Sequence, residues 1–203
     1  MNGGEQLPLG VVLAGGTSSR MGVDKARLSF GGEPLLRRVG ERLARVTGKV
    51  LVSGRDPADC DWCVPWVPDA VPGFGPASGV LTALEAAGRA CLVVSCDLPF
   101  LDEATLRRLV AAWRRRPRQT LMTTFRIVET GYIESLVAIY ESDGASLLRE
   151  SLSRGEPRLS GIFSEDVRCH IDYSREDWSV ARAFFNVNSP PDLLRARGME
   201  GPA

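Results

Sequence analysis

The sequence predicts an α/β fold: a single Rossmann-like domain with a mainly parallel sheet and helices on both faces. Three observations predict it. Short apolar runs alternate with helical stretches, the first run leads at once into a glycine-rich loop, and no repeat, linker or low-complexity tract divides residues 1–203. Alternating strand and helix units place parallel strands between helical layers. Ligands of such sheets bind at the loops beyond the carboxyl ends of the strands.

Leu9 to Leu13, bounded by glycine, suits a strand buried on both faces. Leu35, Leu36, Val39, Leu43 and Val46 recur at helical spacing after Pro34, a residue at home in a first turn. Val50 to Val52 reads as a strand, and Val64 to Val67, broken by Pro65, as a weaker one. Ala77 to Ala87 reads as a helix and Cys91 to Ser95 as another buried strand. Asp102 caps a helix whose inner face is Leu106, Leu109, Val110 and Trp113. The Arg114-Arg115-Arg116 run at its end reads as a solvated terminus that suits the helix dipole. Leu121 to Phe125, Ser135 to Tyr140 and the alternating Val167 to Asp172 read as strands, with a polar helix ending near Leu152. Phe184 to Asn188 is expected to be the last strand, followed by a short helix from Pro190.

Composition removes several function classes. With 25 basic and 25 acidic side chains the net charge is zero, so no nucleic acid and no acidic membrane surface is an expected partner. No apolar run reaches the roughly 20 residues of a membrane span. The first residues lack a signal peptide's basic and apolar regions, so a cytoplasmic location is expected. Five scattered cysteines make a poor disulfide framework. The lone Cys60-Asp61-Trp62-Cys63, with a single histidine in the chain, does not supply a closed zinc site. Cys91 and Cys96 read as small core residues, and His170 as a satisfied structural or surface histidine. There is no GxSxG elbow for a serine hydrolase.

The chemistry concentrates in Leu13-Ala14-Gly15-Gly16-Thr17-Ser18-Ser19-Arg20-Met21-Gly22-Val23-Asp24-Lys25. Glycines let backbone N–H groups approach phosphate oxygens, hydroxyls add donors, and Arg20 and Lys25 add charge. Neither the Walker A nor the GxGxxG spacing is present. Lys25 stands out further, because only two of the 25 basic residues, Lys25 and Lys49, are lysine. An ammonium is a compact point charge where guanidinium is a planar fork. Asp97, beyond the Cys91–Ser95 strand, reads as a Mg2+ ligand or as a helix-start aspartate. Asp69 and Asn188, read alone, are ordinary turn residues.

Leu13 to Lys25 resembles the LAGGxSxRMGxDK signature of molybdenum cofactor guanylyltransferases of the MobA type, within the nucleotidyltransferase superfamily. The resemblance continues through Gly75-Pro76-Ala77-Ser78-Gly79, Ser95-Cys96-Asp97-Leu98-Pro99-Phe100-Leu101 and Phe185-Asn186-Val187-Asn188-Ser189-Pro190. It implies nucleotide contacts at Leu13, Ala14, Gly15, Gly16, Lys25, Asp69, Gly79, Asp97 and Asn188. It implies catalytic roles for Lys25 and Arg20, with Mg2+ as cofactor on Asp97. Ser53-Gly54-Arg55 departs from relatives that place an asparagine on the base, and Gly131 to Leu136, which faces the second substrate in this fold, lacks their proline.

The reaction the resemblance implies is transfer of GMP from GTP to the terminal phosphate of molybdopterin, releasing pyrophosphate. Transient contact with other cofactor-biosynthesis or molybdoenzyme-maturation proteins goes with it. Such transfer needs in-line placement and charge neutralisation and no obligatory base. The glycine loop and Arg20 fall to the β- and γ-phosphates and Lys25 to the α-phosphate. Relatives with LAAG tend to use CTP, so Gly15-Gly16 favours GTP. Cytidylyl transfer, guanylyl transfer to another phosphate, and a non-catalytic nucleotide-binding protein are the alternatives.

Overall fold

The computed structural model describes residues 6–15 and 24–199. Strand β1 (Leu9–Leu13) precedes a small ribbon, β2 (Ser29–Phe30) with β3 (Glu33–Pro34), and helix α1 (Leu35–Thr47). Next come β4 (Val50–Ser53), β5 (Trp66–Val67), α2 (Pro76–Ala87), β6 (Cys91–Ser95) and α3 (Glu103–Arg114). The rest is β7 (Met122–Ile127), β8 (Ile133–Tyr140), α4 (Ala145–Ser153), α5 (Leu159–Ile162), β9 (Arg168–Tyr173), α6 (Trp178–Ala181) and α7 (Pro190–Met199).

Seven strands form one sheet in the order β5-β4-β1-β6-β8-β7-β9. β8 alone runs against the others: it is antiparallel to both β6 and β7, and the remaining pairings are parallel. The chain leaves β1 toward β4 and β5, then crosses back through α2 to lay β6 on the other side of β1. That reversal is a topological switch point, and it opens the crevice where open α/β sheets bind ligands.

Helices cover both faces. Leu36, Val39 and Leu43 of α1 and Leu106, Leu109 and Trp113 of α3 pack on one side of the sheet. Val80 and Leu84 of α2 and Leu148 and Leu152 of α4 pack on the other. Burying each such aliphatic side chain stabilises the fold by roughly 1.5–3 kcal/mol. α1 lies so close to β1 that a Cβ on Gly10 would come within 2.6 Å of Thr47 Oγ1 and 2.8 Å of Leu43 Cγ. The start of α1 is thereby fixed beside the carboxyl end of β1. Asp102 caps α3 as expected, its carboxylate accepting from the Thr105 N–H at 2.7 Å.

Four expectations need correction. Phe184 to Asn188 forms no strand; it is the end of a short helical turn followed by an irregular segment, and β9 is the last strand among the described residues. The weak strand at Val64 shrinks to Trp66–Val67, since Pro65 has no N–H to give a ladder. Arg116 is not part of a solvated run: its guanidinium lies over the Trp113 ring at 4.3 Å and pairs with Glu141 at 2.8 Å. His170 is half-buried on β9 as a structural residue, yet it is not satisfied, because its buried Nε2 has no hydrogen-bond partner among the described residues. Burial and the nearby Arg126 push its pKa below the usual imidazole value. Cys91 and Cys96 are buried as expected.

Candidate active site

The parallel registers align the carboxyl ends of four strands. Leu13 pairs with Ser53 and with Ser95, and Ser53 pairs with Val67. Gly15, Asp69 and Asp97 each lie two residues beyond one of these ends, and Gly54 one beyond. The strand alignment alone therefore brings these four residues to one edge. Two clusters form there.

The first joins Lys25, Asp97 and Asn188. Lys25 Nζ donates to Asp97 Oδ2 at 3.2 Å and to Asn188 Oδ1 at 2.5 Å. Asp97 is buried; Ser95 Oγ donates to its Oδ1 at 2.6 Å, and its carbonyl accepts from the Val187 N–H at 2.9 Å. That last bond is what ties the Asn188 segment to the Asp97 loop. Lys25 opens a short turn capped by Asp24, whose carboxylate accepts from the Ala26 N–H at 3.1 Å and pairs with Arg55. An apolar cluster holds the three segments together. Phe30 follows the Lys25 turn, Phe100 follows Asp97 and Val187 precedes Asn188; all three are buried against one another, with Phe30 and Phe100 edge to face at 5.5 Å. Dry packing thus fixes polar atoms that come from three distant parts of the chain.

The second cluster joins Gly15, Ser53, Gly54, Asp69 and Gly79. Ser53 is buried, and its hydroxyl lies 3.3 Å from Asp69 Oδ1 and 3.2 Å from the Gly79 carbonyl. A Cβ on Gly15 would reach Asp69 Oδ2 at 2.6 Å, and one on Gly54, whose φ is +104°, would strike the Gly15 backbone at 2.5 Å. Both positions need glycine for close approach. The Asp69 turn is pinned to α2, where Thr82 Oγ1 accepts from the Ala70 N–H at 2.9 Å and Ser78 Oγ from the Val71 N–H at 3.2 Å. Burial raises the Asp69 pKa above the usual carboxylate value, against the opposing hydrogen bond from Ser53.

Leu13 and Ala14 border both clusters: the Cys96 N–H donates to the Leu13 carbonyl at 3.3 Å and the Ala14 N–H to the Ser53 carbonyl at 2.9 Å. Of the residues singled out in the sequence, Gly16 and Arg20 lie outside the described residues. Ser53, Arg55 and Ser95 were not expected to support the site. The signal available was a small hydroxyl at a strand's carboxyl end, directly before the loop that carries the acid. Among the described residues, no three His, Cys, Asp or Glu side chains gather as a metal cage.

The donor set at the first cluster nevertheless suits a hard cation. One carboxylate and one amide oxygen converge on a single point, and a cation, the Lys25 ammonium, already stands there. Mg2+ is usually held this way, by one or two carboxylates together with substrate phosphates rather than by an all-protein cage.

Fold and site together define a class, the α/β nucleotidyltransferases, and comparison with known proteins narrows it. The MobA-like NTP transferase domain matches residues 10–177. A probable molybdenum cofactor guanylyltransferase of Pelotomaculum thermopropionicum is 34% identical over 94% of this chain and 92% of its own. A molybdenum cofactor guanylyltransferase of Rhizobium rhizogenes is 31% identical, over 91% of this chain and 88% of its own. A solved structure, molybdopterin-guanine dinucleotide biosynthesis protein A from Archaeoglobus fulgidus, shares the fold with a TM-score of 0.75 at 22% identity, over 94% of this chain and 97% of that one. The chain belongs to the MobA-like NTP transferase family. No helix among its described residues is long and apolar enough to cross a membrane.

Proposed function

We propose that this protein transfers GMP from GTP to the terminal phosphate of molybdopterin and releases pyrophosphate. An oxygen of the acceptor phosphate attacks the α-phosphorus, the new P–O bond forms, and the bond to the β-phosphate oxygen breaks. The observation that carries the reading is the convergence of Lys25, Asp97 and Asn188 beside the Gly15–Asp69–Gly79 cluster. A charged point and a glycine-flanked carboxylate thus stand on one sheet edge. The names of the relatives supply the substrates.

Each side chain has a part that follows from its chemistry. Asp69, an acceptor, suits the N–H edge of guanine, and Ser53 and the α2 hydroxyls hold it in place. Gly15, Gly16 and Arg20 serve the β- and γ-phosphates, where backbone N–H groups and a guanidinium match phosphate oxygens. Lys25 serves the α-phosphate, where charge accumulates in the transition state. Asp97 and Asn188 would hold Mg2+, which when bound neutralises phosphate charge. The acceptor phosphate is already ionised near neutral pH, so no general base is required. Absence of a usable histidine fits this scheme.

The test is direct: protein, Mg2+, labelled GTP and molybdopterin are incubated, and pyrophosphate and a guanylylated pterin are measured. Both products are expected. Pyrophosphate from CTP in place of GTP overturns the base assignment, and no product from either nucleotide overturns the function.

A further inference from the structure

A cavity of about 640 Å³ opens where α1, the start of α3 and α6 meet. That is the size of a small-ligand site, commonly about 300–1,000 Å³. No residue of the two clusters described above lines it. Its walls carry four arginines, Arg38, Arg42 and Arg45 from α1 and Arg182 from the turn after α6. Against these four stand two lining acids, Asp102 and Glu103, which leaves a charge of +2.

The surplus falls on two of the four. Arg38 pairs with Glu33 at 3.3 Å and Arg45 with Glu103 at 3.4 Å. Arg42 and Arg182, both half-buried, meet no carboxylate within ion-pair distance among the described residues and reach backbone carbonyls instead. Arg42 Nη1 donates to the Pro99 and Leu101 oxygens at 2.8 Å each, and Arg182 Nη2 to the Met199 oxygen at 2.8 Å. The Arg182 guanidinium lies 4.3 Å over the Phe100 ring, and its buried Nε has no hydrogen-bond partner among the described residues. The two arginines therefore flank the same three residues, Pro99, Phe100 and Leu101. Burial and the like charge of Arg38 lower the Arg42 pKa; Glu33 and Asp102 pull it less strongly the other way, and Asp102 is engaged in capping α3. A lysine so placed could shed its proton, but a guanidinium cannot. Only an anion neutralises it.

The cavity also has an aromatic wall. Trp178, 51% exposed, stands four residues before Arg182, one helical turn away, and lines the same space. We propose that this cavity binds a phosphate monoester carried on a flat ring, a nucleoside monophosphate in chemical class, with the phosphate on Arg42 and Arg182 and the ring on Trp178. Such a phosphate carries about −1.5 to −2 at pH 7, which matches the surplus. Guanidinium forks suit its oxygens, and an indole face suits a base. The site is separate from the one that handles GTP.

Isothermal titration calorimetry of the whole protein with AMP, adenosine and inorganic phosphate tests it. AMP should bind one to one, at least about 10-fold more tightly than either fragment. Arg182→Gln should weaken AMP by about 10- to 100-fold, the range for a lost charged hydrogen-bond partner. Lys25→Met, which alters the first cluster, should leave AMP affinity unchanged. No binding of AMP at millimolar concentration overturns the proposal. So does affinity lost in Lys25→Met and kept in Arg182→Gln, which would seat AMP in the GTP site. Phosphate binding as tightly as AMP overturns the role of Trp178 and with it the ligand class. Should Arg182→Gln not fold, Trp178→Ala, at an exposed position, decides: a loss of about 10-fold or more upholds the site, and unchanged affinity overturns it. No arm uses molybdopterin or GTP, so the outcome is independent of the proposed function.

Discussion

Replacing Lys25 by methionine should separate two consequences of one ammonium. The group stands 3.2 Å from Asp97 Oδ2 and 2.5 Å from Asn188 Oδ1, the same two oxygens assigned to Mg2+. A cation arriving without nucleotide must displace it. At 3.2 Å, with an effective dielectric constant near 20, the attraction between Lys25 and Asp97 is roughly 5 kcal/mol before any desolvation. The Lys25 side chain is 23% exposed and that of Asp97 10%, so solvent screening and the cost of drying both charges reduce the net coupling to about 1 kcal/mol. Its removal should therefore tighten Mn2+ binding to the nucleotide-free protein by about 5- to 10-fold, read by the loss of free Mn2+ signal in electron paramagnetic resonance. GMP transfer by the same variant should fall by about 10²- to 10³-fold, the scale of one lost transition-state donor. A folded Lys25→Met protein with unchanged or weaker Mn2+ affinity would refute the competition. Wild-type turnover would make Lys25 a bystander.

Asp97→Asn should lower pyrophosphate release by at least about 10²-fold, with partial recovery at high Mg2+ or with Mn2+; a wild-type Mg2+ titration curve would move the metal elsewhere. Asp69→Asn should weaken GTP without unfolding the protein. Because burial holds the Asp69 pKa above its unfolded value, the unfolded chain releases this proton first. Stability then falls as pH rises through the raised value, so the asparagine variant should melt higher than wild type at pH 7 but not at pH 3, as differential scanning calorimetry can check. For the same reason, KM for GTP in the wild type should climb with acidification before an ordinary carboxylate would titrate. Phe100→Ala should cost about 3–5 kcal/mol of stability and also lower turnover of the folded fraction, since Phe100 packs between the segments bearing Lys25 and Asn188; a fall in melting temperature with unchanged kcat would confine it to the core.

The nucleotide half of the fold was readable because β1, β4 and β6 are apolar on both faces and α1 and α3 carry clear helical stripes. Periodicity and capping state those elements directly, down to Asp102. The loss of the strand expected at Phe184 has a physical reason. Phe184, Phe185 and Val187 are apolar because they fill two different clusters, around Tyr173 and around Phe100, and neither requires a ladder. An apolar run marks burial before it marks a strand. The site divides in the same way. Lys25, Asp97 and Asn188 could be singled out by composition and resemblance, whereas Ser53 could be weighed only as a missing asparagine. Its work, holding Asp69 against Gly79, depends on a contact between residues 16 and 26 positions apart. No local pattern encodes such a contact.

The reversed strand has a consequence for how such an enzyme can change. In a wholly parallel sheet, only segments that leave strands reach the carboxyl edge. Turning β8 around brings the β7–β8 connection to that edge as well, so residues entering a strand, Tyr132 and Glu134 among them, stand at the same edge. The residues proposed to handle the nucleotide then stand at the ends of β1, β4, β5 and β6, and the β7–β8 hairpin can lengthen or alter at its tip without disturbing those parallel registers. Selection on the hairpin could reshape one wall of the crevice while the four parallel strand ends stayed fixed.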